Sequence, residues 1–302
     1  MSESMTQYAP IVLFVYNRLW HTQQTVEALQ KNILAAESEL FIYSDAPNND
    51  DAKKSVNEVR DYIDLIDGFK KVTIIKRDAN WGLARSIIDG VTKVVNDYGR
   101  IIVLEDDLVT SPYFLNYMND ALNLYENDSQ VASIHGYIYP IRELPATFFI
   151  KGADCWGWAT WENAWSCFER DGDLLLDKLK RKNMLAEFDY DKTIHYSKML
   201  KDQIKGKNNS WAIRWYASVF LSDMLTLYPG WSYVYNIGND ASGTHCHKTQ
   251  AYNCRLIESY PRLQRIKVSE NLDAKEHMKR FFKSLKPSVF IRLKSMLKRV
   301  MT

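Results

Sequence analysis

Short continuous apolar runs recur along the first hundred residues, each followed by polar residues and then by a stretch with helical spacing. Ile11-Val12-Leu13-Phe14-Val15-Tyr16 is the first, and it stops at Asn17-Arg18. Unbroken, β-branched runs of this length predict strands buried on both faces. From Thr22 to Ala36 the apolar positions Val26, Leu29 and Ile33 fall three and four apart, which predicts a helix. Leu40-Phe41-Ile42-Tyr43 is the next strand, ending in Ser44-Asp45. A helix over 52–66, a strand at Val72-Thr73-Ile74-Ile75, a helix from Leu83 to Tyr98 and a strand Ile101-Ile102-Val103-Leu104 continue the alternation, which closes on Glu105-Asp106-Asp107. This order predicts an α/β fold with a mostly parallel sheet flanked by helices.

Ligands of such sheets bind beyond the carboxyl ends of the strands. Asn17-Arg18, Ser44-Asp45 and the acidic triplet all fall there. One polar residue after a strand is an ordinary turn, but three strands ending in charged groups point to a shared site. A leaving diphosphate needs its charge offset, and a hard cation such as Mg²⁺ or Mn²⁺ does this with one or two carboxylates and the phosphates as ligands. Alternation along the chain sends Glu105 and Asp107 one way and Asp106 the other.

After Tyr125 the rhythm changes. Val131-Ala132-Ser133-Ile134 and Thr147-Phe148-Phe149-Ile150 predict further strands, and a soft boundary falls near Ile150. The segment from Cys155 to Trp165 holds Trp156, Trp158, Trp161 and Trp165, and predicts a loop followed by a helix with Thr160 as its N-cap. Three tryptophans within six residues are expected to point in more than one direction, with Gly157 letting the loop pass close to a ligand. A polar region from 171 to 209 is expected to be helical and to lie over the cleft.

The blocks Phe14-Val15-Tyr16-Asn17-Arg18, Tyr43-Ser44-Asp45, Asn80-Trp81-Gly82-Leu83-Ala84-Arg85, Arg100 through Leu108, and Ser111-Pro112-Tyr113-Phe114 resemble the donor domain of glycosyltransferases of the N-acetylglucosaminyltransferase I type and their bacterial family 2-like relatives. The resemblance covers about the first 130 residues and resumes at the tryptophan-rich segment. It implies a GT-A fold, with 1–150 binding a UDP-sugar donor and 151–270 completing the fold on the acceptor side. It places Tyr16, Asn17, Arg18, Asp45, Arg85, Glu105 and Asp106 around the nucleotide and diphosphate, and Asp107 on the metal. The late His245 is a second expected metal or diphosphate ligand.

An inverting transfer needs a base to take the acceptor hydroxyl's proton. Glu162 at the start of the expected helix is the first candidate, Asp154 the second, and Asp240 the third. The resemblance would put the base in a later tryptophan-flanked segment, but here that segment is Trp211-Ala212-Ile213-Arg214-Trp215, without a carboxylate.

Composition narrows the partners. The 302 residues are 46% hydrophobic and 25% charged with a net charge of +2, so neither disorder nor nucleic-acid binding is expected. Cys155, Cys167, Cys246 and Cys254 follow no disulfide or zinc spacing, and neither a signal peptide nor a membrane span is recognised, which points to the cytosol. From Met278 to Thr302 there is no acidic residue, while Phe282, Leu285, Val289, Leu293, Met296 and Val300 recur every three or four positions. The segment 271–302 is therefore expected to be a basic amphipathic helix lying on an anionic membrane, on its cytosolic face.

The expected activity is inverting transfer of a hexosyl or N-acetylhexosaminyl group to a saccharide or lipid-linked acceptor in bacterial surface glycan (lipopolysaccharide) assembly. Two other readings stay open: a sugar-phosphate nucleotidyltransferase, though the first strand lacks a glycine-rich phosphate loop, and a non-catalytic membrane-attached glycan-binding protein.

Overall fold

In the computed structural model, residues 8–240 and 249–285 are described. The first half follows the expected alternation: β1 (Ile11–Val15), α1 (Leu19–Gln30), β2 (Glu39–Ser44), α2 (Lys53–Ile63), β3 (Lys71–Lys76), α3 (Leu83–Tyr98) and β4 (Arg100–Glu105). Then come β5 (Leu108–Thr110), α4 (Phe114–Leu124), β6 (Val131–His135), β7 (Thr147–Lys151), β8 (Trp158–Trp161) and α5 (Glu162–Trp165). The chain continues through α6 (Gly172–Arg181), α7 (Leu185–Phe188), α8 (Tyr196–Ile204), α9 (Trp211–Leu221), β9 (Leu225–Pro229), β10 (Val234–Asn236) and α10 (Leu272–Ser284).

Eight strands form one sheet in the order β3-β2-β1-β4-β8-β6-β9-β7, continuous across Ile150, and β10 pairs with β5 in a small second sheet. β3, β2, β1 and β4 are parallel; β8 and β7 run against their neighbours, and β9 is parallel to β6. Six strands therefore end at one edge, and this is an α/β fold of the GT-A type. Every residue of β1 is buried, as an unbroken apolar run between two helical layers requires. α3 presses directly onto β1 and β2: a Cβ at Gly90 would come within 2.9 Å of Phe14 and 3.1 Å of Tyr43.

The tryptophan-rich segment departs from the sequence expectation. Residues 158–161 are a strand, paired antiparallel to β4 and β6, and Thr160 is one of its residues rather than a helix N-cap; its hydroxyl donates to the Ala132 carbonyl at 2.7 Å. The indoles point in more than one direction, as expected, and Trp156 stays partly exposed. Trp158 and Trp161 are both buried, and Trp158 packs against Trp165, Trp211 and Trp215 with ring centroids 5.5–5.8 Å apart. α9 supplies Trp211 and Trp215 from fifty residues downstream, so the sequence spacing alone concealed this shared core. Its start is capped by the Ser210 hydroxyl, which accepts from the Ile213 amide.

α10 corrects a second expectation. Its apolar face is spent inside the protein: Ala274, Met278 and Phe282 are buried, and Phe282 meets Tyr139 and Tyr190 at 5.1 and 5.4 Å. Lys279 pairs with Asp191 at 2.6 Å, fastening the helix to the α7–α8 turn. Within Leu272–Leu285, the apolar residues Ala274, Met278 and Phe282 are thus taken up by the protein interior. Val289, Leu293, Met296 and Val300 lie outside the described residues. No helix among the described residues is long and apolar enough to cross a bilayer.

Candidate active site

The acidic triplet stands where β4 ends, beside the end of β1, since Phe14 is in register with Glu105. α1 starts four residues after β1 ends, so its first turn lies close to the triplet. Arg18, its N-cap residue, donates to the Asp106 carboxylate and, at 2.8 Å, to Oδ2 of Asp107. Thr25, two turns on, donates to the Asp106 carbonyl at 2.9 Å. Burial would lower the Arg18 pKa, but the adjoining Asp106 and Asp107 carboxylates raise it overall, so the guanidinium stays charged. Asp106 is itself pushed up to about 6, chiefly by burial, with Arg18 acting in the opposite sense. Burial and the neighbouring Asp107 and Asp106 push Glu105 up to about 8, so it holds its proton at neutral pH. The three acidic residues are thus unequal, and Asp106 and Asp107 carry the ion pair.

Asp107 is covered by the chain that follows β10. The Ile237 amide donates to the Asp107 carbonyl at 2.9 Å, and a Cβ at Gly238 would come within 2.1 Å of Oδ2. A larger residue at 238 would force the Asp107 side chain to move. Two residues later Asp240 reaches α1, with Oδ2 3.0 Å from Nε2 of His21. His21 lies one helical turn from Arg18 on the same face. The sequence reading missed His21; its signal was that i, i+3 spacing.

On the β2 side the Asp45 carboxylate accepts from the amides of Ala46, Trp81 and Gly82 at 2.7–3.2 Å. It ties the end of β2 to the turn that starts α3, and Asn80 reinforces this tie by donating to the Ala46 carbonyl at 2.6 Å. Arg85 is exposed and lies 4.0 Å from the centre of the Trp81 ring, while Arg77 lies 3.7 Å from the same ring. Tyr16 is half-buried, its hydroxyl accepting from the Asn48 amide at 3.1 Å; Asn17 is half-buried beside it. Arg18, Asp106 and Asp107 are therefore in direct contact, whereas Asp45, Arg85, Tyr16 and Asn17 line the same edge toward β2 and β3.

The three base candidates separate. Glu162 follows Trp161, which is in register with Arg100 at the start of β4, and its amide donates to the Gly99 carbonyl. It is exposed at the edge opposite the triplet, about 16 Å away along β4 at 3.3 Å per residue. β8 runs against β4, so the residues before it, not after it, reach the triplet's edge. That corrects the expectation for Glu162. Asp154 lies on those preceding residues and is half-buried. Its Oδ2 accepts from the Tyr139 hydroxyl at 3.0 Å and its Oδ1 from the Cys155 amide at 2.9 Å. Trp158 is in register with Val103, two residues before Glu105, so the residues that lead into β8 run toward the triplet's edge. Burial, then the Asp154 charge, raises the pKa of Tyr139, Tyr196 and Tyr228, so the carboxylate sits amid neutral phenols. Asp240 is the exposed carboxylate on the α1 side. His245 lies outside the described residues. Among the described residues no group of three or more His, Cys, Asp or Glu side chains forms a metal cluster.

Residues 11–168 match the model of glycosyl transferase family 2, from β1 through the triplet to the turn after α5. This chain belongs to glycosyl transferase family 2. Solved structures similar to this family 2 member include the mannosyltransferase PcManGT from Pyrobaculum calidifontis, in complex with GDP-Man and Mn²⁺ (13% identity, TM-score 0.31, covering 45% of this chain and 37% of that one). TarS of S. aureus is similar at 12% identity and TM-score 0.32 over 48% of this chain and 24% of its own, and its 1–349 fragment at 10% and 0.34 over 58% and 49%. The family 2 chain thus spans about a quarter to a half of the length of these proteins. No curated protein matches it.

Proposed function

We propose that this family 2 member is an inverting glycosyltransferase that moves a hexosyl or N-acetylhexosaminyl group from a UDP-sugar to a saccharide acceptor. The observation that carries this reading is the cluster of Arg18, Asp106 and Asp107 at the end of β4, covered by Gly238, on the sheet edge that also carries Asp154. Arg18 offsets part of the charge of the two carboxylates and lies where a diphosphate would approach; a guanidinium there stabilises charge developing on the leaving group.

The Asp107 carboxylate suits a hard cation, since the donor's phosphates complete the shell of Mn²⁺ or Mg²⁺ with one protein carboxylate. When bound, that cation would polarise the diphosphate and ease its departure. Tyr16, Asn17, Asp45 and Arg85 are assigned to the nucleotide. Asp154 is assigned as the base that takes the acceptor proton, with Tyr139 orienting it; Asp240 is the alternative from the α1 side. In this reading 1–150 holds the donor and 151–270 the acceptor across one continuous sheet. Contact with an anionic membrane, and with it a lipid-linked acceptor of surface glycan assembly at the cytosolic face, is assigned to the basic residues beyond Pro287.

Incubation with a panel of nucleotide sugars, with and without Mn²⁺, tests the proposal. Metal-dependent release of nucleoside diphosphate from one UDP-sugar supports it; absence of binding to every nucleotide sugar overturns it.

A further inference from the structure

The nine tryptophans sort by place. Trp158, Trp161, Trp165, Trp211 and Trp215 are buried. The four that keep solvent contact, Trp20, Trp81, Trp156 and Trp231, all lie at the sheet edge that carries the triplet. Trp20 is in the first turn of α1, Trp81 follows β3, Trp156 precedes the opposed strand β8, and Trp231 follows β9. An exposed apolar side chain alone needs no explanation, but confinement of these four indoles to one edge does.

They differ in what covers their faces. Trp81 carries Arg77 and Arg85, and Trp20 lies edge-on to His21 at 5.0 Å. Trp156 is held edge-on by Tyr137 and Tyr252 at 4.7 and 5.8 Å, while its amide donates to Nε2 of the buried His135. Gly157, at φ 67°, makes the bend that keeps Trp156 outside while Trp158 turns in; a Cβ there would meet Val234 at 2.7 Å. Trp231 is 55% exposed, yet its backbone is fixed on both sides: Gly230 donates to the Ala146 carbonyl at 2.8 Å, and Ser232 bridges to Leu256. Register carries Trp231 to the triplet's edge, three strands from β4, or about 14 Å at 4.8 Å per strand. Trp156 stands between them, two residues from Asp154.

We propose that Trp156 and Trp231 form a track for an acceptor saccharide of more than one sugar ring, whose apolar faces stack on the indoles while its terminal hydroxyl reaches Asp154. An indole offers a large rigid apolar face with a polar N–H at its rim, which matches a sugar's apolar faces and hydroxyl edge. The occupant follows from continuity with the candidate active site, and the inference rests on the transferase reading. It extends that reading to an elongated acceptor rather than a monosaccharide.

An array of bacterial surface oligosaccharides, probed with the full chain, tests the track. Wild type captures a subset of oligosaccharides, Trp231→Ala captures them about tenfold more weakly, and Trp231→Phe restores most of the capture. Calorimetric binding of the nucleotide sugar and the thermal midpoint should be the same for all three proteins. Equal capture by Trp231→Ala overturns the proposal. So does loss of binding to phosphatidylglycerol vesicles with unchanged glycan capture, which would make Trp231 a membrane contact. A wild-type protein that binds its nucleotide sugar but no saccharide sinks the track and leaves the transferase reading standing. Trp231-dependent glycan capture without nucleotide-sugar binding does the reverse.

Discussion

On the β3-β2-β1-β4 side of the sheet, most candidate ligand-binding groups lie within a few residues of a strand end: Arg18 after β1, Asp45 after β2, Asp106 and Asp107 after β4. On the β8-β6-β9-β7 side, the groups around Asp154 come from widely separated parts of the chain, including Tyr139, Tyr196 and Tyr228. The first side is polar and paired by charge; the second is aromatic and sealed by α10 through Phe281 and Phe282. Parallel strands with helical crossovers deliver their ends to one edge automatically, so short local motifs suffice there. A mixed half-sheet has no such rule. Its site depends on long-range packing, and its neighbours can be far apart in sequence.

Five substitutions break or sharpen this contrast. The largest effect is expected for Asp107→Ala, which leaves Arg18 with one carboxylate and removes the side chain proposed to hold the cation. Metal-dependent donor binding should fall by about 100-fold or more, read by calorimetry with Mn²⁺ and the nucleotide sugar. Asp154→Asn should spare donor binding and lower the transfer rate by about 10²–10⁴-fold, the usual scale of a general base. Glu162→Ala, at the opposite edge, should transfer at the wild-type rate; a dead Glu162→Ala with an active Asp154→Asn would reverse the assignment.

The fourth substitution addresses the seal. Phe282→Ala opens a cavity beside Tyr139 and Tyr190 and should cost about 3–5 kcal/mol in denaturant unfolding. If α10 instead served a membrane, the loss would be within about 0.5 kcal/mol.

The smallest effect concerns His135, which is fully buried, accepts from the Trp156 amide and has its pKa lowered by burial. Below its ordinary value of 6.5 the unfolded chain takes up a proton that the folded chain does not, so stability falls as pH drops from 6.5. Unfolding measured between pH 7 and 5 should show a shallower decline for His135→Gln than for wild type.

Much of the donor side was legible. The alternation of strands and helices, the helix Leu83–Tyr98 and the convergence of Arg18, Asp45 and the triplet follow from unbroken apolar runs and the polar residues that end them. The sequence did not reveal that Asp45 spends its carboxylate on the amides of the α3 turn, nor that Arg18 pairs with Asp106 and Asp107, because both contacts join residues at least 35 positions apart. The tryptophan-rich segment misled for a different reason. Four residues with Trp, Ala and Thr carry no period that separates strand from helix, and the pairing of β8 with β4 and β6 decided it.

By itself, then, the sequence determined the layers and the edge where chemistry gathers, since those depend on local apolar periodicity and on which residues end each strand. The tertiary structure alone decided the direction of β8. That direction puts Asp154 at the triplet's edge and Glu162 at the opposite one, and strand direction is set by hydrogen-bonded partners that no local pattern encodes. It also decided the fate of α10. An amphipathic helix looks the same whether its apolar face meets lipid or protein, and only the aromatic surface waiting at Tyr139 and Tyr190 settles which one it covers.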